Sequence, residues 1–221
     1  MASRGRFITF EGPDGSGKST QARLLAEMLR SRGLDVLLTR EPGGTALGER
    51  VRHVLLDTGR DEVHSARTDA LLFQAARAQH VDQVIAPALD RGLLVISDRY
   101  ADSSVAYQGY GSEIPVERIR ELGAFATRGI RPDLTILLDL PVRVGLARRA
   151  SGDPDGITRF ESADTFDVGF HERVRAGYLE LVRAEPHRWR VVEADRDEAE
   201  IERDVRAIVE EFLDLTRTPA G

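Results

Sequence analysis

Apolar residues follow two patterns along the chain: five short runs that are almost continuously apolar, and longer stretches between them in which apolar positions recur at helical spacing. Continuous runs are typical of strands buried on both faces. They cover residues 6–11, 35–40, 93–99, 134–139 and 189–195. Because strands alternate with helices, we predict an α/β fold with three layers, doubly wound around a five-stranded parallel sheet.

The stretches with helical spacing predict the helices of the two outer layers. They cover residues 18–32, 46–56, 67–89, 115–127, 142–150, 167–184 and 197–215. Pro87 lies inside the third stretch and is expected to bend or end that helix, since proline has no amide hydrogen. A chain of 221 residues can bury one substantial core, so we predict a single domain over residues 1–221.

Charged residues stand at, or directly after, the end of every predicted strand. They are Glu11, Arg40, Asp98, Arg99, Asp139, Glu193 and Asp195. In a parallel sheet these positions share the carboxyl edge, where open α/β folds bind their ligands. The alternative interpretation is that these strand ends are simply solvated.

The stretch "GPDGSGKS", residues 12–19, matches the phosphate-loop pattern G-x-x-x-x-G-K-[ST] between a predicted strand and a predicted helix. Backbone amides of such a loop surround phosphate oxygens, Lys18 reaches the outer phosphates, and the Ser19 hydroxyl can ligate Mg²⁺. The alternative is a glycine-rich turn that only starts a helix. We predict an ATP site that comprises Gly12, Pro13, Asp14, Gly15, Ser16, Gly17, Lys18, Ser19 and Thr20.

Composition limits the classes of ligand. The formal net charge of −6 gives no basic footprint for nucleic acid, so the field that attracts an anionic ligand has to be local. The absence of cysteine excludes disulfides, thiol catalysis and thiolate metal sites. No apolar run approaches the ~18 residues of a membrane helix. These features favour a cytoplasmic protein that binds neither nucleic acid nor membranes.

Arginines can supply that local field. Arg40 and Arg99 end two strands, and Arg77 lies on a helix. A guanidinium binds phosphate through paired hydrogen bonds, which favours an acceptor substrate that is itself a phosphate and needs no general base. No N-K-x-D string for guanine recognition is present. We therefore favour a small-molecule kinase; the alternatives are a deoxynucleoside kinase with a general base and a regulatory nucleotide switch.

Phe73 and Arg77 are one helical turn apart, at positions i and i+4. An aromatic ring beside a guanidinium on one helix face can stack on a base and hydrogen-bond its exocyclic oxygen. The alternative is that Phe73 belongs to the core and Arg77 is a solvated surface residue.

Five segments in this order resemble thymidylate kinase of the bacterial type: "EGPDGSGKSTQ", "TREPGGT", "LLFQAARAQH", "SDRYADSSVAYQG" and "RPDLTILLDLP". The resemblance covers nearly the whole chain. It implies a P-loop nucleoside monophosphate kinase fold and phosphorylation of thymidine monophosphate to the diphosphate with ATP and Mg²⁺, for dTTP biosynthesis. It also implies a homodimer formed through helices.

The resemblance implies a binding site for thymidine monophosphate. Its members are Asp14, Arg40, Phe73, Arg77, Arg99, Ser104, Tyr107 and Gln108. Arg40 and Arg99 hold the phosphate, and Asp14 accepts from the sugar 3′-OH while it pairs with an arginine. Tyr107 crowds the 2′ position, with a loop aromatic that merely packs as the alternative.

The remaining residues of the base pocket follow from the same resemblance. Phe73 stacks on thymine and Arg77 bonds its O4, while Ser104 and Gln108 line the base and sugar pocket.

For the donor side, the resemblance implies that Arg148 stacks on adenine, near the segment around Ala194 and Asp195. An ordinary helix-surface arginine is the alternative. Asp98 orients Mg²⁺ or forms an ion pair with Arg99, and Glu161 lies near the acceptor and the metal, so that the predicted metal residues are Ser19, Asp98 and Glu161.

Members of the family differ in the source of a catalytic arginine, and Gly15 occupies the position at which some carry one in the phosphate loop. The resemblance therefore implies a lid, over about residues 148–165, that supplies the arginine. Arg149 and Arg159 are both candidates. The predicted catalytic residues are Lys18, Arg99, Arg149 and Arg159.

Overall fold

A computed structural model describes residues 4–56, 64–150 and 168–215. Its five strands form one parallel sheet, ordered β2-β3-β1-β4-β5. The strands are β1 (Phe7–Glu11), β2 (Val36–Arg40), β3 (Leu94–Asp98), β4 (Leu134–Asp139) and β5 (Trp189–Glu193). Strands β2 and β3 lie on one side of the central β1, and β4 and β5 lie on the other. This order confirms the predicted doubly wound α/β class and puts the strand-order reversal beside β1.

Helices cover both faces of the sheet. They are α1 (Lys18–Ser31), α2 (Ala46–Leu56), α3 (Ala66–His80), α4 (Ala86–Asp90), α5 (Ala101–Ser104), α6 (Val116–Thr127), α7 (Val142–Ala150), α8 (Val168–Ala184) and α9 (Glu198–Phe212). Helices α1 and α9 pack on the face that carries Ile8 and Phe10 of β1, and α4 packs on the opposite face beside Phe7. The structure thus has the three predicted layers.

The strand register brings the carboxyl ends of three strands together. Phe10 of β1 pairs with Asp98 of β3, and Arg40 of β2 pairs with the same residue. The segments that leave β1 and β3 are therefore adjacent, with β2 beside them. This edge carries the site described below.

The expectation that all five strands are buried on both faces is wrong for the two edge strands. Strands β1, β3 and β4 are buried along almost their whole length. Strand β2 is half-buried, and β5 exposes three of its five residues. An edge strand has a neighbour on one side only, so its side chains are less completely covered.

Pro87 does not end the long helix predicted over residues 67–89. A π-helical segment, Val81–Ile85, follows α3 directly and leads into α4, in which Pro87 occupies the first turn. The wider turns before the proline accommodate its missing amide hydrogen without breaking the helical path.

The helical segment from α5 through the π-helical turns Val105–Gly111 was not predicted. Its glycines, serines and tyrosines give no strong helical pattern in the sequence, and tertiary contacts decide its conformation. No helix within the described ranges is long and apolar enough to span a membrane. The predicted lid extends beyond α7 into residues 151–167, which lie outside the described residues.

Candidate active site

A cleft of about 440 Å³ opens at the carboxyl edge of the sheet. The phosphate loop forms one part of its lining, and residues from the ends of β2 and β3, the segments that follow them, α2, α3 and α7 form the rest. The lining residues are Asp14, Gly15, Gly17, Lys18, Ser19, Thr20, Arg40, Glu41, Pro42, Arg52, Leu56, Phe73, Asp98, Arg99, Ser103, Ser104, Tyr107, Gln108 and Arg148. Most of the residues predicted from the sequence therefore meet in one cavity.

The phosphate loop packs tightly against α7. Gly15 has a φ of +76°, and a Cβ there would lie 2.4 Å from the Gly145 carbonyl oxygen. Conversely, a Cβ on Gly145 would lie 2.4 Å from the carbonyl oxygen of Asp14. Only glycine fits both positions without a backbone shift, which gives a steric reason for the absence of an arginine at position 15.

Lys18 begins α1 and is buried beneath the loop. Its ammonium donates to the Pro13 carbonyl at 2.8 Å and to the Ser16 hydroxyl at 3.3 Å. Burial, followed by repulsion from Arg99, lowers the pKa of Lys18 to about 8. At neutral pH the ammonium keeps its charge, and an anionic phosphate would favour that charged form further.

Asp14 lies in a hydrogen-bonded group with Arg99 and Tyr107. Arg99 forms an ion pair with Asp14, and the Tyr107 hydroxyl donates to the other Asp14 oxygen at 2.9 Å. The Arg99 guanidinium also donates to the Tyr107 hydroxyl at 3.2 Å and lies 5.0 Å from the centre of the ring. Although burial opposes ionisation of Asp14, the Arg99 charge holds the pKa of the carboxyl below its usual value.

Besides Arg148, three arginines line the cleft, and sequence reasoning missed one of these three. Arg40 pairs with Glu49 at 3.1 Å, and Arg52 of α2 donates to the Pro42 carbonyl at 3.1 Å. Burial and then repulsion from Arg40 lower the pKa of Arg52. Together with Arg99 they form a cationic cluster suited to an anion. No local motif singled out Arg52, because only the tertiary fold brings α2 to the end of β2.

Ser19 and Asp98 form the part of the predicted metal site that lies within the described residues. The Ser19 hydroxyl donates to Asp98 Oδ2. Asp98 Oδ1 is buried and has no hydrogen-bond partner among the described residues. Mg²⁺ prefers oxygen ligands, and the unpartnered carboxylate oxygen of Asp98 beside the Ser19 hydroxyl fits this preference. Across the described ranges, no group of three or more acidic or histidine side chains forms a complete metal cage.

The base-side residues differ in exposure. Phe73, Ser104 and Gln108 line the cleft, whereas Arg77 is 2% exposed and does not line it. The alternative of a solvated surface Arg77 is therefore wrong. Its guanidinium bonds Glu41 at 2.7 Å and Ser104 at 2.9 Å, directly behind the cleft wall.

His80 extends this buried network. Its Nδ1 lies 3.0 Å from Glu41, and its Nε2 lies 2.7 Å from the Thr39 hydroxyl. Burial opposes the charge of Glu41, but Arg77 and His80 keep the pKa of this carboxyl below its usual value. Glu41 is thus a fixed counter-charge for Arg77.

At the other end of the cleft, Arg148 of α7 donates to the Ala194 carbonyl at 2.9 Å and to Asp195 at 3.3 Å. This contact joins α7 to the segment after β5, the two parts predicted to flank adenine. Asp139, at the end of β4, accepts two bonds of 2.7 and 2.9 Å from Arg175.

Three predicted residues cannot be given a place in this geometry. Arg159 and Glu161 lie outside the described residues, as does the Arg149 side chain at the end of α7. Their roles stay predictions.

Known proteins resemble the chain over nearly its full length. The family model described as "Thymidylate kinase" matches residues 10–205. A thymidylate kinase of Symbiobacterium thermophilum is 49% identical over 215 residues, which cover 97% of each chain. One from Desulforudis audaxviator is 53% identical over 194 residues, covering 87% of this chain and 85% of the relative.

A solved structure agrees with both sequence comparisons. The crystal structure of thymidylate kinase from Ehrlichia chaffeensis matches with a TM-score of 0.74 and 33% identity, covering 93% of this chain and 99% of the other. Family model, relatives and structure all confirm the resemblance seen in the sequence. The chain belongs to the thymidylate kinase family.

Proposed function

We propose that the cleft transfers the γ-phosphoryl group of ATP to the phosphate of thymidine monophosphate. An oxygen of the monophosphate attacks the γ-phosphorus, the bond from that phosphorus to the β-phosphate oxygen breaks, and ADP leaves. The observation that carries the proposal is the cluster of Arg40, Arg52 and Arg99 in the same cleft as the phosphate loop. The arginine cluster and the phosphate loop with Lys18 are two separate cationic regions, which suits a reaction between two phosphorylated substrates.

The acceptor phosphate binds to these arginines. An ionised phosphate is already a nucleophile, so the site requires positioned positive charge rather than a general base. Asp14 accepts from the 3′-OH of the sugar while Arg99 balances its charge. The Tyr107 ring, held by its bond to Asp14 at 2.9 Å, crowds the 2′ position.

Thymine occupies the part of the cleft lined by Phe73, Ser104 and Gln108. Phe73 stacks on the ring, and the Arg77 guanidinium, which bonds Ser104 directly behind the cleft wall, hydrogen-bonds O4 where thymine meets that wall. The bond from Arg77 to Glu41 supports this role, because it fixes the plane of the guanidinium.

ATP binds along residues 12–20, where Lys18 turns from the Pro13 carbonyl to the outer phosphates. Arg148 stacks on adenine beside the Ala194 carbonyl, which its guanidinium already contacts. Arg149 and Arg159 supply further positive charge to the transferred phosphoryl group.

Ser19 and Asp98 would hold Mg²⁺ at the donor site, and Glu161 is a further candidate ligand. The free Asp98 oxygen supports this assignment. The ion supplies neutralisation of charge on the β- and γ-phosphate oxygens.

The chain acts as a single catalytic unit over residues 1–221, in the cytoplasm, as a homodimer. Helices α3 and α6 pack together and expose large apolar side chains, Leu71 at 51% and Phe125 at 87%. Such residues are costly to leave in water and support a dimer through these helices.

A single assay tests the reaction: coupled detection of ADP with ATP, Mg²⁺ and a panel of acceptors. We expect the highest turnover with thymidine monophosphate. Higher turnover with thymidine would mean that the acceptor is a hydroxyl, and turnover independent of any acceptor would favour the nucleotide switch.

A further inference from the structure

Glu11, the last residue of β1, is fully buried and is not part of the cleft lining. Four donors surround its carboxylate. The backbone amides of Tyr100 and Ser103 donate to Oε1 at 2.9 and 3.3 Å. The hydroxyls of Ser103 and Tyr178 donate to Oε2 at 2.5 and 2.9 Å. An ionised carboxylate accepts all four bonds at once.

The two hydroxyls connect Glu11 to Arg99. Arg99 Nη1 donates to the Ser103 oxygen at 3.1 Å and to the Tyr178 oxygen at 3.4 Å. Since each hydroxyl gives its hydrogen to Glu11, the lone pairs of each oxygen remain available to the guanidinium. Glu11 thus orients the acceptors of Arg99 without touching Arg99 itself.

The backbone provides a second connection. Arg99 has a φ of +69°, a strained conformation for a residue with a side chain. Glu11 binds the amide of the next residue, Tyr100, and that of Ser103 in the first turn of α5. These bonds fix the backbone directly after Arg99 and so stabilise its strained conformation.

A carboxylate is a costly choice for a purely structural bond in this place. Burial, and then repulsion from Asp102, raise the pKa of Glu11 to about 7. A neutral side chain of similar shape would avoid the cost of burying charge. The charged and titratable groups that face Glu11 are Lys18, Arg99, Asp102 and Tyr178.

We propose that Glu11 is a positioning residue for the acceptor phosphate, because it fixes the guanidinium of Arg99 through Ser103, Tyr178 and the turn after β3. This inference rests on the proposed contact between Arg99 and the phosphate of thymidine monophosphate. Glu11 would then align the substrate in addition to its structural place at the end of β1.

Two variants test the proposal against a matched control. Glu11→Gln keeps the shape and removes the charge, and Ser103→Ala cuts the link to Arg99 while leaving the carboxylate. The control is Thr9→Val, on the same face of β1, which removes a buried hydroxyl that bonds Thr135 at 3.0 Å instead of Glu11 or Arg99. We expect the KM for thymidine monophosphate to rise about tenfold in Glu11→Gln and several-fold in Ser103→Ala. The KM for ATP should stay within about twofold, and Thr9→Val should change neither KM.

The pH dependence separates alignment from general support of the fold. The ratio of the KM for thymidine monophosphate in Glu11→Gln to that in the unchanged protein should be close to one at pH 5.5, where Glu11 is protonated and as neutral as glutamine. The ratio should grow above pH 7, where Glu11 is ionised. Titration of the substrate phosphate cancels in this ratio. A ratio that does not vary with pH would contradict the proposal.

Arg99→Ala tests the proposed contact between Arg99 and the substrate phosphate separately from the role of Glu11. If it leaves the KM for thymidine monophosphate unchanged, the proposed role of Arg99 fails, and the role of Glu11 fails with it. If Arg99→Ala raises that KM but Glu11→Gln and Ser103→Ala behave like Thr9→Val, only the Glu11 proposal is overturned. Should Glu11→Gln not fold, Ser103→Ala decides.

Discussion

The hydroxyl of Tyr107 donates to the carboxylate of Asp14 at 2.9 Å and so joins the π-helical segment after α5 to the phosphate loop. The same hydroxyl accepts from Arg99 at 3.2 Å. One phenol hydroxyl therefore bonds both members of the Asp14–Arg99 pair, and the role proposed for the ring can be tested separately.

Tyr107→Phe should lower kcat/KM for thymidine monophosphate by roughly three- to tenfold, the cost of one hydrogen bond to a charged group. Discrimination against the ribonucleotide should persist, since the ring remains. Tyr107→Ala should lose that discrimination. The measurement is kcat/KM for the deoxy- and ribonucleotide with all three proteins; equal discrimination by all three would contradict a role for the ring.

Asp14→Ala should raise the KM for thymidine monophosphate by about tenfold or more while changing the KM for ATP much less. The carboxylate pairs with Arg99, which we propose binds the acceptor phosphate, whereas the backbone amides and Lys18 are the groups proposed to bind the donor phosphates. Asp14→Asn keeps the shape of the side chain, and its KM for thymidine monophosphate should fall between those of Asp14→Ala and the unchanged protein. The measurement is steady-state kinetics with both substrates. An equal rise in the KM for thymidine monophosphate and in the KM for ATP would show that Asp14 supports the phosphate loop as a whole.

Gly145→Ala should harm ATP use, because its Cβ would meet the Asp14 carbonyl at 2.4 Å and displace the phosphate loop or α7. We expect a lower melting temperature and a rise of at least about tenfold in the KM for ATP. Arg143→Ala, an exposed change on the same helix, is the control and should alter neither. A normal KM for ATP in Gly145→Ala would mean that the loop tolerates the shift.

The stability contributed by Glu11 depends on pH. Burial raises its pKa from 4.5 to about 7, so the folded state binds this proton more tightly than the unfolded state. The resulting stability is fully present below pH 4.5 and is lost as the pH rises through 7. The melting temperature of Glu11→Gln relative to the unchanged protein should therefore increase between pH 4.5 and 7.5, by an amount equivalent to about 3 kcal/mol at most. Thr9→Val should show no such trend, and a flat difference for Glu11→Gln would contradict the raised pKa.

Arg159→Ala should lower kcat by roughly a hundredfold or more if this arginine stabilises the transferred phosphoryl group. The prediction comes from the sequence, since Gly15 leaves the phosphate loop without an arginine. Arg149→Ala is the paired measurement. An unchanged kcat for Arg159→Ala with a large loss for Arg149→Ala would assign the role to Arg149.

The sequence by itself determined the class of fold and the place of the site. Continuous apolar runs alternating with helical patterns predicted the parallel sheet, and the residues between β1 and α1 predicted the phosphate loop. These features are local: periodicity and loop chemistry depend on neighbours in the chain. The segments that resemble thymidylate kinase gave the family, which the comparisons confirmed.

Only the tertiary structure decided which side chains meet. Arg52 reaches the cleft because α2 packs beside the end of β2. Glu11 faces Ser103 because β1 and β3 are paired in the sheet, and it faces Tyr178 because α8 packs against the segment after α5. It also decided the helical path of residues 101–111 and the burial of Arg77. Contacts between residues far apart in the chain, and the pKa shifts that burial causes, depend on packing and charge in three dimensions, which no local pattern encodes.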